Sequence, residues 1–220
     1  NEGLIYTFAN IAFVFGPLIA GFVVGKYGME MVFVLSAIFI FSSYLLFKFS
    51  KITDANIRKR IHSNVVRNFI DFFRKKDRII AYALGGGISL WWSLIYIFIP
   101  LLIIGEGLSP QWVGYFLFAV AVPLILLEYK FSEMAGRIGF KKIFKIGYFI
   151  PFIIALICFF LSNIYLIMFL LVLASVGMAL LEPTTEAYFF DILKGKQNLR
   201  FYGPYNTTIN AGQFLSLIHI

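Results

Sequence analysis

The sequence predicts an all-α integral membrane protein of about seven transmembrane helices, and three observations carry that expectation. Of 220 residues, 60% are hydrophobic and 14% charged, whereas a soluble domain is about half apolar and about a quarter charged. Charge-free runs recur along the chain at lengths close to the ~20 residues a helix needs to cross the hydrocarbon core. Basic residues gather in alternate connections, the charge pattern of a multi-pass topology.

The first four runs lie between Glu2 and Lys26, Glu30 and Lys48, Arg78 and Glu106, and Glu106 and Glu128. Each predicts one membrane helix. The stretch from Ile146 to Leu181 is too long for a single crossing, and its polar pair Ser162-Asn163 predicts two helices joined by a tight turn. A seventh apolar segment follows Arg200. Apolar segments continue throughout, which excludes the reading of one cleaved signal peptide ahead of a soluble domain. Cys158 is the single cysteine and lies in an apolar run, so neither a disulfide framework nor a thiolate metal site is expected. No metal or cofactor is expected either.

Net charge is +8, and its placement decides between nucleic acid and membrane. Ten basic residues fall from Lys48 to Arg78, five from Lys130 to Lys145, and Lys194, Lys196 and Arg200 form a third group. Only Lys26 belongs to the opposite side of a seven-helix path. The positive-inside rule then places these loops, and Asn1, in the cytoplasm. The expected location is the plasma or inner cell membrane. No nucleic-acid partner is expected, because the aromatics sit in the uncharged runs rather than among exposed basic residues. In the basic connection Ile57, Ile61, Val65, Phe69 and Phe72 recur at helical spacing with Arg58, Lys59, Arg60, Arg67 and Arg74 between them. That pattern predicts an amphipathic helix lying on the membrane surface.

Two short stretches carry a family resemblance. Ala12, Gly16, Pro17, Ala20 and Gly21 read A-x-x-x-G-P-x-x-A-G. This resembles the fifth-helix motif of proton-coupled antiporters in the major facilitator superfamily, G-x-x-x-G-P-x-x-G-G, with alanine at two glycine positions. Small residues allow close approach of a neighbouring helix. The run from Met134 to Lys142, with Arg137, Gly139, Lys141 and Lys142, is similar to the family's cytoplasmic loop L-A-D-R-x-G-R-K. Gly136 stands where the family has aspartate, and Glu133 is a candidate substitute carboxylate. A weaker internal repeat aligns Gly3 to Asn10 with Gly203 to Asn210, matching at Gly, Thr and Asn.

The resemblance implies a partial helical bundle of this superfamily, covering the fifth to eleventh of an expected twelve helices. Residues 1–49 would close the N-terminal half, 50–78 would be the cytoplasmic linker, and 79–220 would form a C-terminal half truncated in its fifth helix. A complete protein of this kind is expected to be a monomer. The last six residues, Leu215-Ser216-Leu217-Ile218-His219-Ile220, read as the translation of a transposon-end sequencing adapter, so native sequence is expected to stop near Phe214.

A transporter needs polar groups facing a central cavity and a protonatable group whose charge couples to opening. Glu182 and Glu186 fall four residues apart on one helical face with Pro183 between them, which fits a coupling or gating pair or a helix end emerging into water. Glu128 is a third coupling or gate candidate, and its place beside Lys130 at its helix end favours a structural ion pair. Ser89, Trp92 and Tyr96 share a face with Gly85, and Trp92 lies at mid-span, outside the interfacial belt. These three are candidate cavity residues. Asn206, Asn210 and Gln213 join them, since hydrocarbon does not tolerate amides facing lipid.

The expected function is therefore secondary transport of small molecules by alternating access, coupled to protons and drug-efflux-like, with the lipid bilayer, substrate and protons as partners. An intramembrane lipid-modifying enzyme is the first alternative, and it lacks a cluster of histidines or carboxylates at ligand spacing. A non-transporting membrane sensor of the same fold is the second.

Overall fold

The computed structural model describes residues 2–50, 64–193 and 197–217; for 2–10, 12, 13, 199, 216 and 217 only the backbone is described. Ile57, Arg58, Lys59, Arg60 and Ile61 of the expected surface helix lie outside these residues, as do Asn1, Lys194, Lys196, Ile218, His219 and Ile220. The described residues are helical almost throughout. The helices are α1 (Glu2–Tyr27), α2 (Met29–Phe49), α3 (Val65–Phe73), α4 (Lys76–Ser93), α5 (Ile99–Gly105), α6 (Pro110–Ile138), α7 (Phe140–Phe159), α8 (Ile164–Asp191) and α9 (Gln197–Leu217). A π-helical segment, Leu94–Phe98, joins α4 to α5 without a break.

With α4 and α5 counted as one rod, seven long helices among the described residues match the expected seven. Five of them are long and apolar enough to cross a membrane: Met29–Phe49, Lys76–Gly105, Pro110–Ile138, Phe140–Phe159 and Ile164–Asp191. On α1 the apolar stretch is Val14–Tyr27. α9 carries its amides, hydroxyls and Pro204 within the helix, so its composition is too polar to register as a span.

Helix ends depart from the charge-free runs. α6 continues past Glu128 to Ile138 and α8 past Leu181 to Asp191; Glu128 is covered by protein, while Lys130, Glu133, Arg137 and Asp191 on the added turns are exposed. What stops α6 is Gly139, at φ 85°, which alone separates it from α7; this is backbone that favours glycine. At the other end of α7 the expected tight turn is present. Asn163 caps α8, its Oδ1 accepting from the Leu166 N–H at 3.1 Å, which satisfies one of the orphan donors of a helix start.

Contacts between helices pass through small residues. α1 packs along α6, α7 along α8, α6 against α8, and α4 along α9. At the α7–α8 crossing a Cβ added to Gly177 would lie 2.7 Å from the Gly147 carbonyl and 2.8 Å from Pro151 Cδ. At the α4–α9 crossing a Cβ on Gly212 would lie 2.6 Å from the Gly86 carbonyl. The Ala12 to Gly21 motif divides between two surfaces. The Pro17 carbonyl and Gly21 face Gly114 of α6, where a Cβ on Gly21 would stand 3.1 Å from the Gly114 Cα. Gly16 instead has open space around it and lines a groove with Ala20 beside α2, which revises the expectation that the whole motif packs a neighbour.

Of the expected amphipathic linker helix, Val65–Phe73 is described and is helical. α3 packs against α9 and α4 with its capping Asn64 accepting from the Arg67 N–H at 3.2 Å. Phe72 is fully buried among Tyr82 of α4, Phe189 of α8 and Phe201 of α9. Burying a phenylalanine out of water contributes about 1.5–3 kcal/mol, which helps to hold this nine-residue helix on the bundle. Val65 is exposed, so the predicted stripe is only partly inward.

Candidate functional site

α4, α8 and α9 enclose the principal polar cavity, about 300 Å³ in volume. From α4 come Gly85, Ile88, Ser89 and Trp92; from α8 come Glu182, Thr185 and Glu186; from α9 come Tyr202, Tyr205, Asn206, Thr208, Ile209 and Gln213. The sequence places the polar residues at helical repeats, and close crossing fixes their height. Gly85 admits Thr208, whose methyl would lie 2.8 Å from an added Cβ. Thr208 in turn donates its hydroxyl proton to the Tyr82 carbonyl at 2.6 Å.

Ser89, Trp92, Asn206 and Gln213 therefore lie where the sequence suggested, and two of the expected residues do not. Tyr96 stacks on Trp92 with ring centroids 5.2 Å apart but is not in the cavity wall. The stack keeps Tyr96 on the Trp92 face, one turn beyond the last α4 residue of the lining. Asn210 is not in the lining, where Ile209 stands instead. The buried face of α9 runs through Phe201, Tyr205, Thr208 and Gly212, and Tyr202, Asn206, Ile209 and Gln213 border the cavity along its exposed edge.

The carboxylates are the second finding. Trp92 donates its indole N–H to Glu182 Oε1. Glu182 is also hydrogen-bonded to Glu128, which α6 supplies at 0% exposure. Glu182 thus does not emerge into water at a helix end, for α8 runs on to Asp191, and its partner Trp92 sits near the middle of Lys76–Gly105. Glu128 is buried against another carboxyl while Lys130 is exposed, an arrangement other than the structural ion pair favoured from the sequence. A hydrogen bond between two carboxyl groups requires a proton on one of them, because an ionised carboxylate only accepts. Glu186 lines the same cavity one turn further along α8.

Sequence reasoning missed the aromatic floor. Tyr205 stacks face to face on Phe189, centroids 3.8 Å apart and planes within 6°, and Tyr202 stacks on Phe190 at 6.0 Å. Tyr202 precedes Asn206 by one helical turn, so its place on the amide face was available as a signal. Tyr148 of α7 braces α4 from behind, its hydroxyl donating to the Leu84 carbonyl. In the loop motif Arg137 pairs with Glu133, the expected substitute carboxylate, while Lys141 and Lys142 are exposed. Among the described residues, no group of three or more His, Cys, Asp or Glu is placed to hold a metal ion.

Comparison with known proteins agrees with this architecture. The family model described as Major Facilitator Superfamily matches residues 2–217. No curated protein and no solved structure matches the chain. A family model covering nearly the whole chain, over a multi-pass bundle with a polar cavity between its helices, establishes that this membrane protein belongs to the major facilitator superfamily, whose members are transporters.

Proposed function

We propose that the chain moves small molecules across the membrane by proton-coupled alternating access, with the α4–α8–α9 cavity as substrate site and Glu182 as coupling carboxyl. One observation carries this reading: Glu182 faces the cavity while bonded to Trp92 on one side and to buried Glu128 on the other. A proton held between Glu182 and Glu128 is thereby in contact with a cavity residue. Its loss leaves two carboxylates side by side out of water, and repulsion between them favours a rearranged cavity. Glu186 is the second cavity carboxyl. Trp92, Tyr202 and Tyr205 offer aromatic faces beside these acids, a combination suited to amphipathic or cationic compounds.

Residues 1–49 and 79–220 serve as parts of two halves joined by the basic connection, and the Gly21–Gly114 crossing of α1 on α6 is then a contact between halves that rock on one another. The basic loops face the cytoplasm of a plasma or inner membrane, and the complete protein works as a monomer. The antiporter and efflux assignment rests on the resemblance at Gly16-Pro17.

Purified protein in proteoliposomes tests the coupling. A pH gradient should drive substrate flux in the wild type, and Glu182→Gln should reduce driven flux to background while substrate–substrate exchange persists. Flux indifferent to the gradient, or a Glu182→Gln variant still driven by it, removes Glu182 from the coupling step.

A further inference from the structure

Where α3, α4 and α9 meet, four guanidinium groups surround one carboxylate. Asp71 receives Arg74 Nη1 at 3.1 Å, Arg67 Nε at 3.8 Å and Nη2 of Arg200 in direct contact. Arg200 also donates from Nε to Asn68 at 2.7 Å. Arg78 stands apart from this pairing. Its guanidinium lies over the Phe201 ring at 4.1 Å, and that of Arg200 approaches the same ring at 5.1 Å. Arg78 is only 9% exposed, and its Nη1 is shut off from water without a hydrogen-bond acceptor. The charges acting on it are Arg200 and Asp71. Four positive charges and one negative leave three uncompensated.

A buried ionic donor without an acceptor is costly, and a bound anion is the simplest way to satisfy it. Guanidinium groups bind phosphate oxygens in forked pairs, more tightly than single donors do. The cluster stands near the starts of α4 and α9, at Lys76 and Gln197, where a helix leaves the hydrocarbon and phosphate headgroups lie. Beside it α3 exposes Val66, Ile70 and Phe73, an apolar face that fits an acyl chain.

We propose that the α3–α4–α9 junction is a binding site for a phosphate anion, carried by the headgroup of an anionic lipid, with Arg78, Arg74 and Arg200 as its donors. Binding opens the Arg78 side chain toward the phosphate and competes with Asp71 for Arg74 and Arg200. The site is separate from the cavity, so it stands or falls independently of proton coupling.

The test is titration of the purified protein in detergent with phosphatidylglycerol, phosphatidylcholine and, at constant ionic strength, inorganic phosphate. Thermal unfolding and lipid adducts in native mass spectrometry are the readouts. Phosphatidylglycerol should bind more tightly than phosphatidylcholine, and Arg78→Gln should weaken it about fivefold, the share of one basic residue near a headgroup. Asp71→Asn should act in the opposite sense and tighten binding, although it loosens α3. That sign keeps the test decisive where Arg78→Gln fails to fold. Stabilisation by inorganic phosphate that Arg78→Gln abolishes would support the same anion site with a free-phosphate source. Equal binding of the two lipids, or no strengthening in Asp71→Asn, overturns the proposal.

Discussion

α2 and α8 are both long and apolar enough to cross a membrane, yet they live in different surroundings. Among described residues α2 has none buried, while α8 exposes Tyr165, Leu166, Phe169 and Leu173 along one face of its first half and has no exposed residue from Ala174 to Phe190. Side-chain size differs along with burial. α8 carries Ala174, Ser175, Gly177 and Ala179 in one stretch, and its backbone lies close to that of α7. α2 carries Phe33, Phe39, Phe41, Phe47 and Phe49 outward, and its Ser42 and Ser43 bond back to the Ile38 and Phe39 carbonyls of their own helix. Hydropathy identifies a segment that tolerates lipid; small residues identify one that meets protein.

The largest effect should come from filling the notch in α8. In Gly177→Leu the first added carbon already meets the Gly147 carbonyl and the Pro151 ring, neither of which is a flexible side-chain end. Overpacking costs about 1–3 kcal/mol where neighbours can shift, and here backbone must move. The expected outcome is failure to fold, read as loss of a monodisperse peak in detergent. A well-folded Gly177→Leu would break the account of α8 as a packed helix.

Much of this was legible beforehand, for a definable reason. Solvent class follows from composition, so the number of long helices and the turn at Ser162-Asn163 could be read directly. The cavity residues Ser89, Trp92, Asn206 and Gln213 follow from helical periodicity because polar groups cannot face lipid. Tyr96 and Asn210 fall outside the lining: the first stands one turn beyond Trp92 on the same face, and the exposed edge of α9 that borders the cavity passes through Ile209 instead of the second. The Glu128–Glu182 contact was not legible at all. It joins positions 54 residues apart on different helices, and nothing in a single sequence reports which helices cross there.

A smaller loss is expected at Leu181. Its side chain is fully buried and fills the hollow over Gly147, with its methyl 2.6 Å from where a Cβ there would stand. Leu181→Ala removes that plug and leaves a void between α7 and α8. The cost should be about 2–5 kcal/mol, measured by reversible unfolding in mixed micelles. A loss much under that range would mean the crossing collapses onto the smaller side chain.

The smallest effect sharpens the comparison most, because it repeats the same change on the other helix. Leu46 of α2 is 73% exposed and belongs to a helix with no buried residue. Leu46→Ala exchanges one apolar side chain for a smaller one on an exposed face of α2. It creates no cavity, strands no polar group, and substitutes a better helix former. The expected change is within about 0.5 kcal/mol, in the micelles used for Leu181→Ala. If Leu46→Ala instead costs as much as Leu181→Ala, the outward face of α2 is packed against protein in the folded molecule, and the contrast between the two helices is one of which partner each has rather than of whether it has one.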